Sequence, residues 1–417
     1  MSGDLDSADY PAVADELVDA AEQFLESKGK GSSGNYRRNC ARALRAFFQY
    51  LDTEDPSPPA EAEHLDDSHF RRFARYLAVE DWLTPGGEPK TSDETSFTDS
   101  ISSGTMRTYY AMVSAWCGWS VREGVLSTHY ADSEASQEPL PENSDDSVRD
   151  QQTWSQEQRE TITRYTDHIV GEALDDVDRA ADAAKELRDR AFVDTIAFSG
   201  VRGGEILRDP NDPDRDGLRW GDVNLDRELI WVVPKKRKKN IDDRALTPKP
   251  VPALKRLQAA LNPAEEWPVF PSLAWRLYYK RLRNEAPDHL SEDDVEGTLD
   301  AVDGRADLFD LCREWGVTPP AVNTTSGRNV LQRLCEDLNN DEDFVGELDF
   351  SDSKHDYLAP HGARRGVGKV LVKQRGYDDA AEQLDNTPGV VQKHYSHIKV
   401  PERSADVGAA FDEESEE

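Results

Sequence analysis

Apolar residues recur at helical spacing through the first 130 positions of the chain. Val13, Leu17, Val18, Ala21, Phe24 and Leu25 make one stripe, which the glycine-rich stretch 29–34 breaks. Leu44, Phe47, Phe48 and Leu51 make a second, closed by the proline-rich stretch 56–59. Phe70, Phe73 and Leu77 make a third, whose outer face carries Arg71, Arg72 and Arg75. A fourth runs through Met106, Tyr109, Met112, Val113, Trp116 and Trp119. Together they predict an all-helical domain over residues 1–131, with the aromatics packed inside it. From 132 to 152 the apolar content gives way to Ser, Asp, Glu, Gln and Pro, the composition of a linker.

A second region spans 153–400. Ser155 followed by Gln158 is a capping-box pattern that opens a helix, and 187–198 reads as another, stopped by Gly200. Short strands are predicted over 218–223 and 229–233, with 244–246 as the returning arm of a hairpin. Helical patterns follow at 253–261, 328–338, 366–372 and 379–384. The stretch from about 285 to 307 is acidic and weakly periodic and reads as an insertion, and 401–417 reads as an acidic, disordered tail. The fold class expected is therefore mainly α with a small β-sheet or hairpin.

Charge changes this picture more than composition does. The 417 residues hold 83 Asp and Glu against 50 Lys and Arg, for a formal net charge of −33. Such a balance argues against a polyanionic partner, unless base is concentrated locally while the acid is dispersed. The acid is dispersed, which fits the protein surface demanded by a salt-rich (haloarchaeal-type) cytosol. Cys40, Cys117, Cys312 and Cys335 lie far apart with no C-x-x-C pair, so neither a zinc site nor a disulfide framework is expected. No stretch has the length and apolarity of a membrane span, and the first ten residues lack a signal-peptide pattern, so a cytoplasmic protein is expected.

The local exceptions to the acidity are informative. Arg202 sits between Gly200 and the Gly203-Gly204-Glu205 start of a new helix, a place where a cation is disfavoured unless an anion is held nearby. Lys235, Lys236, Arg237, Lys238 and Lys239 form five consecutive cations at the hairpin tip. From His361 to Arg375 there are Arg364, Arg365, Lys369, Lys373 and Arg375 with no Asp or Glu, a cationic helix face suited to phosphate. Tyr395 lies in His394-Tyr395-Ser396-His397. Asp212, Asp214, Asp216 and Gly217 imitate the opening of an EF-hand loop, but Val223 stands where the closing Glu belongs, so calcium is rejected.

In this order, Gly-x-Arg-x-x-Glu, a hairpin Lys, His-x-x-Arg and Tyr-x-His, the chain resembles the catalytic domain of tyrosine recombinases such as phage integrases and the Xer proteins. Ser199 to Ile206 is similar to the family's first Arg box, and Leu218 to Val223 to the segment leading into its hairpin. The preceding helical domain is similar to the family's core-binding (SAM-like) domain. The resemblance implies an α+β catalytic domain and a site of Arg202, Lys235, His361, Arg364, Asn386 and Tyr395, with Lys236 the next choice for the hairpin lysine. It implies that Tyr395 attacks a DNA phosphodiester to give a 3′-phosphotyrosyl intermediate, with no metal and no cofactor. Duplex DNA is the expected partner, contacted by Arg71, Arg72, Arg75, Lys236, Arg237, Lys238, Lys239, Arg365 and Lys369, and a homo-tetramer on paired sites is the expected assembly. One departure stands out: where the family has a Leu-Gly-His box, this chain has Leu384-Asp385-Asn386. A type IB topoisomerase-like nicking and closing enzyme, a DNA-binding relic of the fold, and a metallo-nuclease are the competing readings.

Overall fold

All four apolar stripes fold as helices. The computed structural model describes residues 5–28, 35–79, 103–141, 152–212, 214–233, 242–350 and 355–395, and the chain divides into two compact units, Met1–Ser147 and Val148–Glu417.

In the first unit α1 (Asp15–Ser27), α2 (Asn35–Thr53), α3 (Asp67–Val79) and α4 (Ser103–Arg122) turn their stripes inward. Phe47 stacks on Phe70 at 5.2 Å between ring centroids, and Phe48 meets the fully buried Trp116 edge-on at 5.4 Å. The unit continues past residue 131, into the stretch expected to be a linker. A short helix α5 (Glu134–Gln137) is capped by Ser133, and its Ser136 hydroxyl donates to the carbonyls of Asp67 (3.0 Å) and Tyr130 (2.8 Å). Leu140 is buried against the same core. Polar contacts and the single buried Leu140 hold this segment, which leaves no apolar period to read.

The second unit combines helices with a three-stranded antiparallel sheet ordered β1 (Val223–Asn224), β2 (Leu229–Val232), β3 (Asp242–Ala245). Ile230 pairs with Val223 on one side and with Arg244 on the other. The cationic run 235–239 lies outside the described residues. The strand expected over 218–223 is mostly absent: Trp220 and Gly221 donate instead to the carbonyls of Trp267 and Glu265, and the backbone makes a single 3-10 turn before β1. Around the sheet lie α6 (Gln156–Asp175), α7 (Ala184–Ser199), α8 (Gly203–Ile206), α9 (Val251–Leu261), α10 (Trp275–Asn284), α11 (Glu292–Asp300), α12 (Arg305–Glu314), α13 (Thr324–Asn340), α14 (Pro360–Gln374), α15 (Tyr377–Gln383) and α16 (Pro388–Tyr395). The expected capping box opens α6, with Ser155 and Gln158 each bonding the other's backbone at 3.0 Å. The acidic stretch near 285–307 carries α11, opened by a Ser291–Asp294 capping box and anchored by Val295 and Leu299 one turn apart. Two apolar anchors are enough to dock a nine-residue helix but too few to mark it in the sequence. Among the described residues no helix is long and apolar enough to cross a membrane. All four cysteines are buried as free thiols.

Candidate active site

The site is built around α14, whose start is fixed from a distance in sequence. Pro360 occupies its first turn, where no N–H is needed. Gln152 clamps the preceding loop: its amide donates to the Tyr357 carbonyl (2.7 Å) and its side-chain oxygen accepts from the Ala359 N–H (2.7 Å). The buried Trp154 donates its indole N–H to the Ala359 carbonyl at 2.9 Å and its backbone N–H to Gly362. A Cβ on Gly362 or Gly366 would collide with these groups, so the two glycines let residues 152–154 close on the helix. Steps of three and four along α14 then place His361, Arg364, Gly368 and Val372 on one face.

Arg364 is 5% exposed. Its guanidinium donates to the carbonyl of Gly200 (2.6 Å) and to that of Leu384. Burial, and then the neighbouring charge of Arg202, lower its pKa to about 10, so it still carries its proton at neutral pH. Gly200 ends α7 at φ +74°, a conformation that suits glycine, and turns the chain so that Arg202 can lead into α8. The Arg202 backbone N–H donates to Glu205 Oε2 (2.8 Å), and Nη1 donates to Glu205 Oε1 (2.6 Å). Glu205 is buried, so this pair fixes where the guanidinium points. The cation at a helix start is thus held by an anion, as its position required.

A second anion completes the arrangement. Asp385 accepts from Arg202 Nη1 at 3.3 Å through Oδ2, and the same oxygen lies 3.1 Å from Arg244 Nη2 on β3. The Asp385 carbonyl also accepts from Arg202 Nη2 (3.2 Å). Asp385 takes the left-handed position (φ +46°) that ends α15, with its N–H donating to Glu382 (3.2 Å) and the Asn386 N–H to Ala381 (2.9 Å). The turn is docked by Gln383, whose amide donates to the carbonyls of Ser199 (2.9 Å) and Ala245 (3.1 Å).

Tyr395 ends α16 and is 7% exposed, packed with Val372, Ala380, Ala381, Leu384 and Val391. Its ring lies against Gly368, one turn beyond Arg364 on the same face. Burial pushes the phenol above its ordinary value of 10, while Arg364 and Arg365 pull the other way. The phenol is therefore neutral near pH 7, and a base is needed to make it a nucleophile.

The expected catalytic residues are thus brought together in part. Arg202, Arg364 and Tyr395 converge. His361 stands exposed at the start of α14, and Asn386 is exposed beside Asp385, its backbone N–H donating to Ala381 (2.9 Å). Lys235 lies outside the described residues, as do Lys236, Arg237, Lys238 and Lys239. Of the expected DNA contacts, Arg75 and Lys369 are exposed. Arg71 pairs with Glu138. Arg365 is half-buried and donates to the Gln152 carbonyl (2.9 Å). Arg72 is partly exposed, and its fork grips the buried Asp55 at 3.0 and 2.9 Å and Ser68 at 2.8 Å. In the loop that imitates an EF-hand, Asp212 pairs with Arg215 and Asp216 with Arg219.

Sequence reasoning missed Gln152, Arg244, Asp385 and Gly368 as parts of the site. Arg244 carried a signal, since it is the one cation on a strand otherwise flanked by Asp242, Asp243 and apolar residues. Asp385 carried another, as an acid in a box where the resembled family has glycine.

No family model matches the chain, and no curated protein matches it significantly. Among solved structures, the chain is similar to the Tn1549 transposon integrase (residues 82–397, in complex with circular intermediate DNA), with 11% identity, coverage of 94% of this chain and 98% of that one, and a TM-score of 0.48. It is similar to lambda integrase (75–356), solved as a dimer bound to a COC′ core site, with 10% identity, 90% and 94% coverage and a TM-score of 0.44. It is also similar to XerA recombinase, with 13% identity, 91% and 92% coverage and a TM-score of 0.30. Scores below 0.5 at such identities leave the chemistry to rest on the side-chain geometry alone.

Proposed function

We propose that the protein is a site-specific DNA recombinase or integrase that cuts and rejoins strands through a covalent bond to Tyr395. The observation that carries this reading is the convergence of two arginines from distant elements, Arg202 and Arg364, with a buried tyrosine next to Gly368, one turn from Arg364. A phosphodiester resists attack because its charge repels nucleophiles and its leaving alkoxide is poor. Guanidinium forks on the non-bridging oxygens stabilise the charge that builds at phosphorus. Tyr395 Oη forms the new bond to phosphorus while the bond to the 5′-oxygen breaks, leaving a 3′-phosphotyrosyl link and a free 5′-hydroxyl. His361 takes the phenolic proton, and Lys235 supplies a proton to the departing 5′-oxygen. The cations are side chains, so the step proceeds without a metal. Rejoining reverses it, with a 5′-hydroxyl of the partner strand as the attacking group. Duplex DNA as substrate, contacts through Arg71, Arg75, Lys369 and the cationic run 235–239, and a tetramer on paired sites belong to the same reading.

The test is covalent trapping on nicked duplexes drawn from the sequence flanking the gene, at high KCl with EDTA present. A protein–DNA band that survives denaturation and disappears in Tyr395→Phe is the expected result. A band that persists in Tyr395→Phe, or one that EDTA abolishes, would refute the proposal.

A further inference from the structure

The described part of the candidate site contains a third arginine and an acid with no place in the chemistry above. Arg244 is 6% exposed on β3, and its charge acts on Arg364, as does that of Arg202. Three cations, from the residue before α8, from β3 and from α14, therefore act on one small region. Asp385 places a single carboxylate oxygen between two of them, 3.3 Å from Arg202 Nη1 and 3.1 Å from Arg244 Nη2. A carboxylate oxygen shared by two guanidiniums carries a negative charge to the place where a non-bridging phosphate oxygen would meet the same cations. Asp385 adopts this place at φ +46°, a backbone conformation that an L side chain rarely takes, and its side chain stays 38% exposed. That backbone turn is set by the end of α15, where the Asp385 N–H donates to Glu382 and the Asn386 N–H to Ala381, and the turn carries the carboxylate to the two arginines.

We propose that Arg244 is a third phosphate-binding residue of this site, and that Asp385 is an internal anion that a DNA phosphate must replace. This rests on the strand-transfer reading and deepens it. In the resting protein Asp385 accepts hydrogen bonds from Arg202 and is ion-paired with Arg244. When a phosphodiester enters, its oxygens take over both forks and the carboxylate swings to solvent. The exchange makes net affinity the difference between two ion pairs, which weakens engagement of phosphates that are not otherwise well seated. Glu205 has a different part: buried and bonded to the Arg202 backbone as well as its side chain, it stays in place and orients Arg202 throughout.

Binding is measured by fluorescence anisotropy on a labelled duplex for the full chain, Asp385→Gly, Arg244→Gln and the double variant. Asp385→Gly removes the carboxylate and relaxes the positive φ, so it does not endanger the fold. It is expected to tighten duplex binding about fivefold. Arg244→Gln alone is expected to change binding less than about twofold, because it loses a phosphate contact and an internal pair together. In the Asp385→Gly background the same change is expected to weaken binding about tenfold, and that unequal effect is the signature of the exchange. A parallel thermal-shift series uses inorganic phosphate alone, which should stabilise Asp385→Gly more than the unaltered chain and lose the extra effect in the double variant. If all forms bind duplex equally and phosphate does not favour Asp385→Gly, the exchange is refuted while the strand-transfer reading stands. If phosphate favours Asp385→Gly but no form binds duplex, the anion site stands and the strand-transfer reading falls. If phosphate fails to favour Asp385→Gly, the proposal falls whatever the duplex shows.

Discussion

Replacing Gly368 by alanine tests how closely the nucleophile is seated. In an exposed helix interior, glycine to alanine stabilises by roughly 1 kcal/mol, because the backbone loses less freedom on folding. Gly368 should reverse that sign. A Cβ built there lies 2.7 Å from Tyr395 Cζ, closer still to its hydroxyl, and 2.9 Å from Leu384 Cδ1. Carbon atoms pack at about 3.5–4.0 Å, so the ring must retreat by about 1 Å. Overpacking of this kind destabilises by roughly 1–3 kcal/mol, which outweighs the helix-propensity gain. A 1 Å displacement of a reacting group slows chemistry by about 100-fold, whereas DNA contacts elsewhere are untouched. The expected outcome is a lower melting temperature, covalent trapping slowed by about two orders of magnitude, and duplex affinity within about twofold of the original. Gly297→Ala in α11 is the control, because a Cβ there meets nothing within 4 Å, and it should raise stability slightly. Trapping at the original rate in a Gly368→Ala protein that is as stable as the control would refute the packing of Tyr395 against α14 and the catalytic role built on it.

Three further outcomes follow from the geometry and the charges it brings together. Arg72→Gln leaves the buried Asp55 without its cationic partner and should destabilise the first unit by about 3 kcal/mol, seen in chemical denaturation. Arg75→Gln should leave stability unchanged and reduce the salt slope of duplex binding by about one, so a large stability loss there would contradict its exposed placement. Asp194 is buried in α7, and burial pushes its carboxyl up to about 6 against the pull of Arg190. Because the folded protein then holds this proton more tightly than the unfolded chain, the contribution is favourable at low pH and is lost as pH rises from about 4 to 6, on the order of 3 kcal/mol. Asp194→Asn should remove that slope, and an unchanged pH dependence of unfolding between pH 4 and 6 would show that Asp194 titrates normally.

The sequence by itself determined the helices of the first unit, because an amphipathic helix is a local, periodic object: Phe47, Phe70 and Trp116 point inward for reasons visible within a few turns. It also determined the start of α6, the stop at Gly200, the β2–β3 pairing and the candidates Arg202, Arg364 and Tyr395, since caps, turns and ordered motifs are short-range features. Segments with few apolar anchors, such as α5 and α11, were not legible, because one or two buried apolar residues and a set of polar contacts leave no period. The tertiary structure alone decided the electrostatics. Arg364 meets Gly200 across 164 residues, and Arg202 meets Asp385 across 183. Whether an arginine faces solvent, a buried carboxylate as at Arg72, or an internal anion as at Arg202 and Arg244, depends on which distant acid the fold delivers to it. Charge interactions reach across space without any periodicity along the chain, so they become readable only once the chain has folded.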